Sequence, residues 1–152
     1  MTARKKPATL AYRRCRFSAA LPLAFLYSKT HYWLAAQPDG SWRIGMTKFA
    51  TRLAGETVEL GFQIEPGAAL VCGQVIGFHE GFKGLSDLRS VLRGRFLGGN
   101  PALLTDIALV NQDPHGAGWL YAASGRPAPA CLDARGYARH LDGAIDRLRA
   151  KG

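Results

Sequence analysis

The sequence predicts a mostly β fold closed by a C-terminal helix, on three observations. Gly is frequent at 18 residues and Pro adds 8, a composition suited to many short strands and turns. Short apolar runs recur between turn signals along most of the chain. Only the last stretch, "LDARGYARHLDGAIDRLRA", spaces its apolar residues near a 3.6-residue period, at Leu132, Tyr137, Leu141, Ile145 and Leu148. A small barrel or sandwich with a terminal amphipathic helix meets all three.

Each element has its own signal. Tyr32–Ala36 and Trp42–Met46 read as strands split by "QPDG", where Pro38 presets φ and Gly40 tolerates a positive φ. "TKFATRLAG" has helical spacing at Phe49, Ala50 and Leu53, with Thr47 as N-cap and Gly55 as stop. "TVELGFQI" alternates as a strand before the "EPG" turn at residues 65–67. "ALVCGQVIGFHEGF" and "LRSVLRGRFLGGN" are two extended segments that face each other across "KGLSD", a hairpin or tight loop with Lys83 near its tip. "NPALLTDIALVNQ" reads as a short helical piece entered at Pro101 and then a loop, and "DPHGAGWLYAAS" gives a turn and a final strand.

The 152 residues suffice for one domain with a core and are too few to expect two. The division expected is a basic, disordered arm over residues 1–20, a body over 21–125, and a linker with the terminal helix over 126–152. No apolar run approaches the ~20 residues that span a bilayer, so a soluble protein with no membrane partner is expected. The net charge of +9 is uneven. Seven basic residues precede the first acid, Asp39; from Asp39 onward 13 basic and 11 acidic residues leave +2. The basicity belongs to the arm, which argues against a nucleic-acid surface on the body. The arm also imitates a secretory peptide in its basic start and short apolar stretch, and a transit peptide in being Arg-rich and free of acids. Pro22 within the apolar stretch argues against secretion, and processing of the arm stays open.

Cys15, Cys72 and Cys131 are odd in number and form no CxxC pair, so neither a zinc site nor a disulfide framework is indicated. They read as inert thiols in a reducing compartment. His31, His79, His115 and His140 lack metal spacing. His79 and Glu80 beside Lys83 read as a solvated hairpin.

One residue stands apart. "HEGFKGLSDLR" holds the only lysine between Lys48 and Lys151, in a span where every other base is arginine. A lysine amine can lose its proton and be acylated, whereas arginine stays protonated.

The order of motifs resembles the H protein of the glycine cleavage system. That family reads P-x-x-L-x-Y-T-x-x-H-E-W, then V-G-I-T-x-[YF]-A, then E-S-V-K-A-x-S-D, then N-x-D-P-Y-G-x-G-W. This chain has "LPLAFLYSKTHYWL", "RIGMTKFA", "EGFKGLSD" and "NQDPHGAGW", from Leu21 to about Tyr121, with no gap needed between Lys83 and Trp119. The recurring Gly45, Gly67, Gly73, Gly77, Gly94, Gly116 and Gly118 fit the same pattern. The resemblance implies a flattened barrel-sandwich hybrid of two small sheets, with lipoate carried on Lys83 at a hairpin tip. Glu80, Ser86 and Asp87 would flank the lysine as recognition residues, and Thr30, Tyr32 and Asp87 would line the cleft that shelters the loaded arm. It further implies a non-catalytic, monomeric carrier. Its partners would be glycine decarboxylase, aminomethyltransferase, dihydrolipoamide dehydrogenase and a lipoate ligase or lipoyltransferase. Its place would be the cytoplasm, or the mitochondrion in a eukaryote.

The chain departs from the family at telling places. The family's H-E-W is His31-Tyr32-Trp33, which replaces by a phenol the carboxylate expected to pair with the amine of the aminomethylated arm. Phe82 stands for the valine before the lysine, and the segment Ser90-Val91-Leu92-Arg93-Gly94 stands for S-P-V-S-G. Arg89, Arg93 and Arg95 make the surroundings less acidic than in the family. Two alternatives therefore accompany glycine cleavage: an H-like lipoate-binding carrier for sulfur oxidation or lipoate relay, and a diverged binding module without lipoate.

Overall fold

The structure, a computed structural model, describes residues 7–151. Eleven strands, two α-helices of more than one turn's length, a single-turn helix and a 3-10 turn follow in the order β1 (Thr9–Arg14), β2 (Phe17–Pro22), β3 (Leu26–Tyr27), β4 (Tyr32–Ala36), β5 (Trp42–Met46), α1 (Lys48–Ala54), β6 (Thr57–Phe62), β7 (Ala69–Leu70), β8 (Val75–Gly81), β9 (Gly84–Arg89), β10 (Leu92–Gly99), the 3-10 turn (Pro101–Leu104), α2 (Leu109–Gln112), β11 (Tyr121–Pro127) and α3 (Ala134–Lys151). β3-β4-β5-β11-β10-β7 form a six-stranded sheet and β6-β8-β9 a three-stranded one. Leu34, Ile44, Ile76, Leu88, Leu92, Phe96, Val110, Leu120 and Tyr121 fill one core, each at most 2% exposed.

The strands at Tyr32–Ala36 and Trp42–Met46 and the helix after Thr47 form as the sequence indicates. Thr47 Oγ1 accepts the Ala50 N–H at 3.3 Å, and Gly55 ends the helix at a φ of 76°, its N–H donating to Thr51 O.

The expected disordered arm is corrected over residues 9–20, while residues 1–6 lie outside the described residues. β1 and β2 are an antiparallel hairpin, a third sheet, with Arg14 opposite Phe17 and Leu10 opposite Leu21. Tyr12, Phe17, Ala19 and Leu21 turn inward with Tyr27, Trp33, Phe49, Tyr137 and Leu141 in a second core under α3. The physical reason is a period-two apolar pattern hidden among cations, together with partners far along the chain. Arg14 grips the Asp146 carboxylate through two N–H groups at 2.9 and 2.8 Å, and Tyr12 donates its O–H to Asp142 at 2.8 Å. The exposed Arg14–Asp146 pair contributes little; the buried aromatic residues hold the hairpin, with Phe17 meeting the Phe49 ring edge-on at 5.4 Å.

A second correction concerns "LRSVLRGRFLGGN". It is not one strand facing β8. Its start finishes β9, which pairs β8, and after Ser90–Val91 the chain crosses to the six-stranded sheet, where β10 lies between β11 and β7. Ser90 covers the crossing: its hydroxyl donates to Leu92 O at 2.7 Å. In α3, Tyr137, Leu141 and Ile145 are buried as the spacing predicts, whereas Leu148 is 47% exposed and Leu132 precedes the helix.

Candidate functional site

The β8–β9 hairpin closes on two residues, Phe82 and Lys83, with Gly81 opposite Gly84. Such a short turn is ordinarily a mobile tip. Here two hydrogen bonds pin it to the loop leaving α1: Phe82 N donates to Glu56 O and Lys83 N to Ala54 O, both at 3.0 Å. Asn111, from α2, braces that loop in turn, accepting the Thr57 N–H at 2.9 Å and donating to Gly55 O at 3.1 Å. The Lys83 side chain lies along Gly55, and its amine reaches Arg52 O at 3.2 Å.

Beside the lysine opens a cleft of about 430 Å³ between β9, α1 and the start of β4. Lys83, Ser86, Asp87, Thr30 and Tyr32 all line it. Residues separated by more than fifty positions in sequence thus meet at one place. Glu80 does not join them: it is exposed, opposite Leu85 on β9 and opposite Glu59 on β6. The floor is apolar, from Met46, Ala50, Leu53, Ala54 and Leu88.

Polar contacts along the walls are sparse and specific. Tyr32 is buried, and its phenol oxygen accepts the Arg89 N–H at 3.2 Å. Burial raises its pKa above the ordinary phenol value, so it stays uncharged. The Thr30 hydroxyl pairs with that of Ser28 at 2.8 Å, which also accepts the Tyr32 N–H at 3.0 Å. Asp87 leans on the Arg89 guanidinium at 3.4 Å, an exposed contact, and Arg89 also donates to Gly73 O at 2.9 Å.

Several groups here escaped sequence reasoning. Asn111 carries no local signal, because it acts on backbone atoms brought in by the fold, and Arg89, expected only as a nearby charge, meets Tyr32, Asp87 and Gly73. His79, read as solvated, is 1% exposed, with Nε2 2.8 Å from Thr57 Oγ1. It points inward because alternate β8 side chains face the core. His31 lines the cleft at a left-handed φ of 72°. Its Nδ1 lies 2.8 Å from the Tyr137 hydroxyl, itself 2.8 Å from Thr47 Oγ1, so the capping residue of α1 and the terminal helix meet at the cleft wall.

Burial, with His140 and Arg147 nearby, lowers the His31 pKa to about 4 from 6.5. The folded protein therefore keeps His31 neutral between pH 6.5 and 4, where the unfolded chain takes up the proton. Stability is full above pH 6.5 and falls as pH drops towards 4, by on the order of 3 kcal/mol from this residue. Burial lowers His79 and His115 in the same direction. Denaturant unfolding at pH 7, 5.5 and 4 should show this slope, and His31→Asn, which tolerates the left-handed φ, should flatten it. An unchanged slope would place the acid sensitivity in the other two histidines.

Comparison with known proteins agrees with this architecture. A family model described as "Glycine cleavage H-protein" matches residues 25–127. The glycine cleavage system H protein of Marinobacter nauticus is 32% identical over 124 residues, 80% of this chain and 95% of that protein. That of Corynebacterium jeikeium is 34% identical over 121 residues, 78% and 94% of the two chains. The crystal structure of a glycine cleavage system H protein from Mycobacterium marinum superposes with a TM-score of 0.72 at 32% identity, covering 80% of this chain and 99% of the other. With most of its length matched in sequence and in barrel-sandwich fold, the chain belongs to the glycine cleavage H-protein family.

Proposed function

We propose that this protein is a lipoyl carrier, not itself a catalyst, with lipoate joined as an amide to Lys83. The observation that carries the reading is a lysine held on a pinned two-residue turn at the mouth of a cleft with an apolar floor. The cleft fits the group: Met46, Ala50, Leu53 and Leu88 suit an aliphatic arm, and the Lys83 amine is exposed for acylation. When bound, lipoate supplies a dithiolane able to accept and release an aminomethyl group. The protein's own residues hold and shelter. Lys83 fixes the root of the arm, the apolar floor excludes water, and Thr30, Tyr32, Ser86 and Asp87 present polar atoms to whatever lies in the cleft. In this reading the partners are glycine decarboxylase, aminomethyltransferase and dihydrolipoamide dehydrogenase, with a lipoate ligase or lipoyltransferase as the modifying enzyme. Glu80, outside the cleft, serves recognition of the hairpin by that enzyme.

The test is the intact mass, with peptide mapping, of protein purified from its native host. A lipoyl adduct on Lys83 is expected. An unmodified Lys83 in cells whose other lipoyl proteins are modified would sink the reading and leave a diverged binding module.

One observation favours a second reading, an H-like carrier with other cargo, for sulfur oxidation or lipoate relay. Tyr32 is uncharged and its oxygen is taken up by the Arg89 N–H, while Asp87 leans on the Arg89 guanidinium. An ammonium-bearing cargo meets less free negative charge here than a carboxylate at position 32 would supply. Glycine-dependent reduction of the lipoylated protein by glycine decarboxylase separates the two readings.

A further inference from the structure

The tip that carries Lys83 also displays the apolar side chains a folded protein ordinarily hides. Phe82 is 78% exposed and Leu85 73%, one on either side of the lysine and its glycine. The turn is pinned through backbone atoms, so Phe82 stands out from a fixed base rather than from a loose loop. Rigid exposed aromatics are typical anchors of protein interfaces.

On the side of Lys83 away from the cleft lies a hollow of about 250 Å³, lined by Lys48, Thr51, Arg52, Gly55, Glu56 and Asn111 with Lys83 itself. Its basic side chains, Lys48, Arg52 and the still unmodified Lys83, face one carboxylate, Glu56. Neither Lys48 nor Arg52 has an ion-pair partner among the described residues. Both are held in place from behind: Lys48 Nζ donates to Ser18 O at 2.8 Å, and the Arg52 guanidinium lies 5.7 Å from the Phe17 ring centre. The N-terminal hairpin thus supports the basic side of the tip.

We propose that Phe82 and the Lys48–Arg52 hollow together form the docking surface for the lipoate-attaching enzyme, which would offer an apolar recess beside one or more carboxylates. The choice of occupant follows from reach. Enzymes that act on the dithiolane would work at the far end of the group, away from Nζ. The enzyme that makes the amide must bring its active site to Nζ of Lys83, and the residues around Nζ are the ones it touches. Opposite charge across that contact speeds encounter and weakens with salt. The proposal rests on the lipoyl reading of Lys83.

The test uses the full unmodified chain with the host's own lipoate ligase, free lipoate and ATP, following Lys83 acylation by intact mass at 50 and 300 mM salt. Phe82→Ser and the double variant Lys48→Gln/Arg52→Gln should each raise KM for the protein by about tenfold with kcat unchanged. The double variant should also lose most of the salt dependence. Because the double variant removes supports of the N-terminal hairpin, its melting temperature is measured alongside; Phe82, being exposed, gives the independent arm. Equal kcat/KM and equal salt dependence in all three proteins would overturn the docking surface while leaving the lipoyl reading intact. Normal acylation combined with impaired turnover by glycine decarboxylase would reassign the surface to that enzyme and overturn the proposal. No acylation of the wild-type Lys83 would remove the lipoyl reading itself.

Discussion

Lys83→Arg should fold with a melting temperature within about 2 °C of wild type and carry nothing. The fold has little stake in this side chain. It is exposed, and the bond that ties the residue to α1 runs from its backbone N–H to Ala54 O. An arginine can still donate to Arg52 O, as the lysine amine does at 3.2 Å. What it cannot do is shed a proton at working pH and attack an acyl group. The protein mass should therefore show no lipoyl adduct, and any carrier-dependent turnover should drop to background. The alternative nucleophile in the adjoining hollow is Lys48, half-buried with its amine on Ser18 O. An adduct that moved to Lys48 in the variant would mean that the hairpin tip is not required for acylation. Full turnover by unmodified Lys83→Arg protein would dispose of lipoyl carriage altogether.

That the lysine could be singled out from sequence, while much of its setting could not, has a physical explanation. Local chemistry was legible. Pro38 and Gly40 mark a turn, Thr47 and Gly55 bracket a helix, and the short apolar runs split by that turn mark β4 and β5, because each of these depends on residues within a few positions. The gathering of Thr30, Tyr32, Ser86 and Asp87 around Lys83 came from the family pattern, not from any periodicity. The N-terminal hairpin was missed because the residues it packs against, Phe49, Tyr137 and Leu141, come from distant parts of the chain, and because its arginines resemble a solvated tail when read alone. His79 was misplaced for a simpler reason. Adjacent residues of a strand face opposite ways, and which face meets the core depends on the register with β6, which "HEGF" does not declare. The crossing at Ser90–Val91 likewise becomes visible only when both sheets exist to receive the two halves.

Gly81→Ala should cost both stability and function, on the order of 2–4 kcal/mol of stability. A Cβ at this position would run into the carbonyl oxygen of Ala54, a main-chain atom that cannot rotate away. Relief requires the hairpin tip to move off the α1–β6 loop. The bonds from Phe82 N to Glu56 O and from Lys83 N to Ala54 O would then be strained or lost. Each is worth about 0.5–1.5 kcal/mol net, and the overpacking itself adds about 1–3 kcal/mol. The functional consequence comes from the same displacement: Lys83 keeps its chemistry but no longer stands at a fixed place beside the cleft. Acylation by the lipoate-attaching enzyme should slow through a higher KM, and a lipoyl group once attached should find the cleft less readily. Ser86→Ala, on the exposed part of the same hairpin, provides the contrast, since it removes a hydroxyl without touching the α1 contact and should leave denaturant stability nearly unchanged. If Gly81→Ala proved as stable as Ser86→Ala, the close approach of the tip to Ala54 would not be what holds the lysine in position, and the pinned turn would lose its place in the account of the site.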